Sequence, residues 1–441
     1  MTRNAAILAM VCVTLTLATA GCGEGQEIES VGFIMGVGID EAENGRIRAW
    51  VQSAIPSAKP SESAKEESWL ASAEGATVWE ALRNVGAKSG KVLFLAHVRS
   101  LIIGERFARS GLKDLLDVLA RVGEFRAKSW VVVTSDPVDR ILGVQSPQAS
   151  IAASYINALM RNAGQLAVAP RSTVLSVIAA TEEAGLQPVI ARAKLVPQMS
   201  PQEETPIGRR PEGKGPTSGP NREGGAAGGG AASEPGGAGG SSGADSQAPS
   251  SDAIELSGAA AFRADKMMGW LSPEDTAMLL IVKNAGGEYS FIHDLPRGRG
   301  TVAVSILSCR ASFDLPKPIP TSVDAFRGAR VVIRIRGEVD IRELASDESF
   351  SSLDEIEALN RGLSKQVEQR IRALVAVSQD QYGTDLLGMG EAFRQRISVQ
   401  RWERDIAPRW HEVFRTLEIE PEARLEVRRR GMTVGSPKPR A

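Results

Sequence analysis

The sequence predicts a multi-domain fold of the α+β, or mixed α/β, kind: sheets with packed helices, in two halves joined by a Gly/Ser/Pro-rich linker. Three observations predict it. From Val92 to Val133, strand-like apolar runs alternate with a helical pattern around Leu115 and Leu116, as in a mixed α/β layer. From Val331 to Val427, two strand patterns flank one long amphipathic helix. Between 198 and 252, Gly, Ser, Pro and Ala dominate and bulky apolar residues nearly vanish. Such a segment cannot bury enough surface to offset its ordering entropy, so it reads as a flexible linker.

The long helix is the clearest element. Ser352 and Glu355 make a capping-box pattern. Ile356, Leu359, Leu363, Val367, Ile371 and Leu374 then recur in steps of three and four, which puts them on one face. The helix is expected to end near Gln379, before Gly383. Val331, Ile333, Ile335, Val339 and Ile341 alternate with Arg334, Arg336, Glu338 and Asp340, a half-buried strand whose charges face water and pair across strands. Leu417, Ile419, Leu425 and Val427 give a last strand or strand pair, broken at Pro421.

In the first half, Val31 to Ile39 and Arg46 to Ile55 are strands around an Asn44-Gly45 hairpin turn. Pro56 to Ser68 is polar and loop-like. Thr77 and Glu80 form a capping box for a short helix that buries Val78, Leu82 and Val85. Val92 to Ile103 reads as one buried strand containing His97, a structural histidine with no second ligand beside it. Two helices follow between Ser150 and Ala184, then a strand at Val189 to Val196. After the linker come strands at Ile254 to Phe262, Lys266 to Leu271 and Thr301 to Leu307.

Composition excludes several function classes. The 441 residues carry a formal net charge of -1, which gives no basis for nucleic-acid binding. Three cysteines, two of them in the leader, exclude a disulfide framework and a cysteine zinc site. Cys309 reads as an inert buried thiol. No Gly-x-Ser-x-Gly elbow, His-Glu-x-x-His, Walker loop or Cys-x-x-Cys pair occurs, and the residues imply no cofactor and no enzyme activity. Trp402 and Trp410, eight apart, fall near one side of a helix with Phe414; they are packing or partner-contact residues.

The leader bears on compartment. Arg3 followed by the apolar run Ala5 to Leu17 has the form of an export signal over residues 1–21. Ala20-Gly21-Cys22 has the ending of a lipoprotein signal, after which Cys22 carries lipid, and this is the preferred reading; Ala18-Thr19-Ala20 also fits ordinary cleavage before Gly21. The divisions are then 1–21 signal peptide, 22–197 N-terminal mixed α/β region with two subdomains, 198–252 linker, 253–435 C-terminal α+β domain and 436–441 tail.

The ordered motifs resemble those of the Ger(x)C lipoproteins, the C subunits of spore nutrient germinant receptors. The resemblance is carried by Cys22 with Val31-Gly-Phe-Ile-Met-Gly-Val-Gly-Ile-Asp40, Ala96 to Glu105, Gly111-Leu112 and Glu124-Phe-Arg126. It continues through Gly258 to Phe262, Gly269-Trp270-Leu271, Asp385 to Glu391, Trp402, Trp410 with Phe414, and Arg428 to Gly431. Ser398-Val399 stands where that family usually has a proline. The resemblance implies a three-domain mixed α/β lipoprotein on the outer face of the spore inner membrane. It also implies an A subunit and a permease-like B subunit as partners, with no catalysis by this chain. The rival from another class is a solute-binding lipoprotein of a transport system.

Overall fold

The computed structural model describes residues 31–55, 67–146, 149–183, 185–197, 252–296, 300–345 and 353–429. Residues 198–251 of the linker, Cys22 with the whole leader, Ser352 and the 436–441 tail lie outside the described residues; Asp252, counted with the linker, opens a strand.

The fold is the α+β arrangement the patterns imply, with two sheets. The first is built from β1 (Val31–Glu41), β2 (Ile47–Ile55), β3 (Glu67–Gly75), β4 (Val92–Phe94), β5 (Ser100–Gly104), β6 (Trp130–Thr134), β7 (Val189–Pro197), β8 (Asp252–Arg263) and β9 (Lys266–Leu271). Their order is β3-β2-β1-β5-β6-β7-β8-β9, with β4 pairing β1 off this path. The four central strands, β1, β5, β6 and β7, run parallel. Such strands are covered on both faces, so they are continuous apolar runs rather than alternating ones. Leu101, Ile103, Val131 and Val133 thus face one core while Ile102 and Val132 face another. The first core takes Val78, Leu82 and Val85 of α1 (Val78–Ser89), Phe107 of α2 (Glu105–Ser110), Leu115 and Leu119 of α3 (Lys113–Arg121), and Val174 and Val177 of a later helix. The second takes Ile141 and Leu142 of α4 (Val138–Gly143) and Ile156 and Met160 of α5 (Ala152–Ala163). That later helix is α6 (Val174–Glu182), opened by a Thr173/Ser176 capping box.

Gly38 explains the glycines of β1. A Cβ there would lie 2.3 Å from Val138 and 3.0 Å from Leu142, so the missing side chain lets α4 sit against the strand.

Several expectations need correction. The run 92–103 is two strands, because β4 pairs with Val31–Phe33 and β5 with Gly36–Ile39; a 3₁₀ turn, Leu95–His97, shifts the chain along β1 between them. His97 therefore sits in that turn, against the rings of Phe33 and Phe94. The polar loop expected to run to Ser68 ends earlier: Glu67 and Ser68 open β3, which pairs in full register with β2. Strand β7 does not close the first unit. β8 and β9, beyond the linker, extend the same sheet antiparallel.

The second sheet is β10 (Tyr289–Asp294), β11 (Thr301–Asp314), β12 (Arg330–Ala345) and β13 (Glu418–Arg429), in that order. It follows α7 (Pro273–Val282), which is capped by Ser272 and has Pro273 in its first turn. β12 and β13 are parallel, which requires a crossover. The crossover is α8 (Leu353–Ala376), whose buried side is Ile356, Leu359, Leu363, Val367, Ile371 and Leu374 as its spacing predicts. The helix runs on as a π-turn to Gln381. Pro421 does not break β13, because β13 is an edge strand and a missing N–H is tolerated on an edge.

Side chains of α8 cover that edge. Asn360 accepts the backbone N–H of Val427 at 3.0 Å, Ser364 that of Leu425 at 3.0 Å, and Glu368 that of Ala423 at 2.9 Å. On the opposite edge, Gln366 donates to the carbonyl of Ile292 in β10 at 3.0 Å. One helix thus hydrogen-bonds both borders of the sheet.

Candidate functional site: a buried carboxylate where the two sheets meet

The segment after the π-turn folds around one side chain. Gly383 and Gly388 take positive φ of 56° and 81°, conformations that suit glycine. The chain between them turns Asp385 inward, where it is 1% exposed. One carboxylate oxygen accepts the N–H of Gly388 at 2.9 Å; the other accepts the N–H of Gly390 at 2.7 Å and the indole N–H of Trp410 at 3.0 Å. The first two are at or beside the start of α9 (Met389–Arg394), where an anion is favoured. Burial pushes the Asp385 carboxyl above the usual range, opposed by the Gly390 and Trp410 donors and by Lys283 at the end of α7. Burial likewise pushes the Lys283 ammonium down, against the attraction of Asp385. Lys283 as a residue is half-buried.

Aromatic rings wall the site. Trp410 opens α10 (Trp410–Thr416), and its ring lies 5.3 Å from Trp402, 5.6 Å from Phe393 and 6.0 Å from Phe326, centroid to centroid. Trp402, Trp410 and Phe414 are all interior. Trp402 lies in a π-turn, Trp402–Ile406, rather than on one straight helix with Trp410, so their meeting comes from the turn and not from the spacing of eight.

The first sheet's connections dock here. Gly390 and Gly185 touch backbone to backbone: a Cβ on Gly390 would lie 2.5 Å from the Gly185 Cα and 2.7 Å from the Trp410 Nε1. Gly185 has φ 99°. Arg394 bonds Glu391 at 2.6 Å and Glu183 at 2.7 Å. Tyr382 donates its hydroxyl to the Trp270 carbonyl at 2.8 Å, and Arg263 donates to the Tyr382 carbonyl. Ala259, Ala261 and Leu271 of β8 and β9 belong to the second sheet's core, while Ala260 and Phe262 belong to the first. A hollow of about 420 Å³ opens beside the contact, lined by Glu182, Gly185, Arg263, Asp385, Trp410 and His411.

Asp385 gathers donors from Gly388, Gly390 and Trp410, and the segment so held carries the Gly390, Arg394 and Tyr382 contacts to the first sheet. Cys309, midway along β11, has its thiol pushed up to about 11 by burial, so it is protonated at neutral pH. Among the described residues, no group of three or more His, Cys, Asp or Glu side chains is placed to hold a metal. The sequence reading had Asp385 only as part of a motif and missed Lys283 and Gly185. The signal was present in Asp385-x-x-Gly388-x-Gly390, an acid followed by glycines at the spacing of a helix-start turn.

Two family models match in order. Residues 24–195 match the spore germination protein N-terminal domain, and residues 257–431 match the spore germination B3/GerAC-like C-terminal domain. The chain belongs to the GerAC family of spore germination proteins. The C-terminal match starts inside β8, so the boundary between the two family models falls at the strands that complete the first sheet. Among GerAC relatives, YfkR of Bacillus subtilis (strain 168) is 22% identical over 423 residues, covering 93% of this chain and 92% of its own length. Spore germination protein GerQC of Bacillus cereus is 18% identical over 422 residues, covering 95% and 97%. The crystal structure of the GerBC protein aligns with a TM-score of 0.45 at 14% identity, over 91% of this chain and 99% of that one.

Proposed function

We propose that this chain is the C-type subunit of a spore nutrient germinant receptor. In this reading it is tethered at the outer face of the spore inner membrane by lipid on Cys22. It works without making or breaking bonds, by holding an A subunit and a permease-like B subunit in a germinant-responsive assembly. The reading is carried by the two family matches, in order and on both sides of the linker. The names of the relatives, all spore germination proteins, support it. The export-type leader ending in Cys22 supports the tether. No helix of the described residues is long and apolar enough to cross a membrane.

The test is the mature protein in spore membranes. The expected mass carries a diacylglyceryl group on Cys22, and the chain co-purifies with A and B subunits. Cys22→Ala is expected to release it and to slow nutrient germination. A soluble chain starting at Gly21, in spores that germinate normally without it, overturns the reading.

One observation favours a second reading, the solute-binding lipoprotein. A hollow of about 720 Å³ at the junction of the sheets is lined by Val168, Ser257, Tyr289, Phe291 and Arg370, aromatic rings beside a cation. Calorimetry with candidate nutrients separates the two readings: saturable heat that is lost in Arg370→Ala favours the solute binder.

A further inference from the structure

The outer face of the second sheet, opposite α8, carries a row of like charges. Arg310 of β11 is registered against Arg336 of β12, and Arg336 against Arg424 of β13. All three are exposed. Adjacent strands lie about 4.8 Å apart, so the row is a straight line about 10 Å long. Like charges directly opposite one another destabilise a sheet. The flanking rows show the usual remedy. Arg334 bonds Asp314 at 2.8 Å and reaches Glu422 at 3.5 Å; Arg428 bonds Glu338 at 3.0 Å; Arg330 pairs Glu420. In the central row only Arg424 has an acid, Glu426 at 2.9 Å. Among the described residues, the guanidinium groups of Arg310 and Arg336 have no ion-pair or hydrogen-bond partner.

The row lines a depression of about 610 Å³ with Ser308, Gly337, Glu338 and Glu426. The backbone of Cys309 and Gly337, whose own side positions face the core, forms its floor. We propose that the Arg310–Arg336–Arg424 row binds the carboxylates of an extended acidic segment of a partner protein, with glutamate or aspartate at alternate positions. Alternate residues of an extended chain are about 7 Å apart on one side, a spacing that lets two carboxylates serve three guanidinium forks. A flat anionic surface fits less well, because Asp314, Glu420 and Glu422 stand on one side of the row and Glu338 and Glu426 on the other. The assignment goes beyond the receptor reading and does not depend on the tether.

The test uses the purified full-length chain and a labelled peptide with glutamate at every second position, followed by fluorescence anisotropy at low and high salt. Binding is expected to weaken with salt and to fall by about tenfold or more in Arg336→Glu. The double variant Arg310→Gln/Arg424→Gln is expected to behave likewise. Melting temperature should be unchanged or raised in Arg336→Glu, since a repelling charge is removed, so a loss of binding is not a loss of fold. The proposal is overturned if the glutamine version of the peptide binds equally, or if Arg336→Glu leaves affinity unchanged. It is also overturned if the row instead retains phosphatidylglycerol vesicles or inorganic phosphate in preference to the peptide.

Discussion

Asp385 accepts the indole N–H of Trp410 at 3.0 Å, 25 positions away in sequence, while its two oxygens also hold the N–H groups of Gly388 and Gly390. Truncating this side chain orphans two buried donors and a half-buried one at once. Asp385→Ala is expected to cost about 3 kcal/mol or more in urea unfolding, because each buried donor left without a partner costs about 1–3 kcal/mol. Trp410→Phe keeps most of the ring packing and leaves the carboxylate two donors, so it should cost less, about 1–2 kcal/mol. Equal losses from the two variants would argue that the carboxylate is not the centre of the joint.

The same residue gives a pH signature. Burial raises the Asp385 carboxyl above its ordinary range, so the folded chain keeps a proton that the unfolded chain has released. The stability linked to that proton is fully present below the unfolded carboxylate value and is lost as pH rises through the raised folded value. Asp385→Asn cannot titrate. The difference in unfolding free energy, wild type minus Asp385→Asn, should therefore shrink as pH rises from the ordinary carboxylate range toward neutrality. A flat difference across that window counts against a raised value.

Gly390 and Gly185 set how closely the two sheets approach. A methyl group on Gly390 would meet the Gly185 backbone at 2.5 Å, far inside contact distance, and neither partner atom is the end of a flexible side chain. Gly390→Ala should cost about 3 kcal/mol, in the upper part of the range for overpacked interiors. Gly185→Ala adds a left-handed φ to the clash and should cost at least as much. Limited proteolysis gives the distinguishing readout: in either variant, cleavage should appear first at the joint, near Glu183 or Met389, before the interior of the first sheet is cut.

The sheets and the long helix were legible because their signals are local. Ile356 to Leu374 repeat at helical spacing, Val331 to Ile341 alternate, and Asn44-Gly45 marks a hairpin; each is built as its pattern implies except at Asp340, expected to face water, which is buried where the register shifts after Val339. The assignment of β8 and β9 to the first sheet was not legible, since pairing of Val189 with Ala261 spans the linker and leaves no periodicity behind. Strand β3 was hidden by its composition: Ser68, Ala71, Ser72, Ala73 and Gly75 are poor strand formers, held there by register with β2. At the joint, the aromatic members were visible as a cluster-forming set. Lys283 and Gly185 were not, because their role exists only once the two sheets are brought together.

The edge of β13 offers the last test, one that separates stability from solubility. Its alternate N–H groups at Ala423, Leu425 and Val427 are taken by Glu368, Ser364 and Asn360, and position 421 is a proline with no N–H to offer. The spacing of four along α8 matches the spacing of two along β13, since each helical turn and each strand dipeptide advances a similar length. Removing the three side chains together, as Asn360→Ala/Ser364→Ala/Glu368→Ala, should cost about 1 kcal/mol per lost bond, or somewhat less where water replaces the partner. It should also leave an open row of donors for another chain to pair with. Light scattering on the purified variant is expected to show concentration-dependent self-association that the wild type lacks. Adding a lysine at exposed Glu422 should suppress that association without restoring stability, because an edge charge blocks pairing and does nothing for the lost bonds. Recovery of both properties together would instead mean that the α8 side chains act by packing rather than by closing the edge.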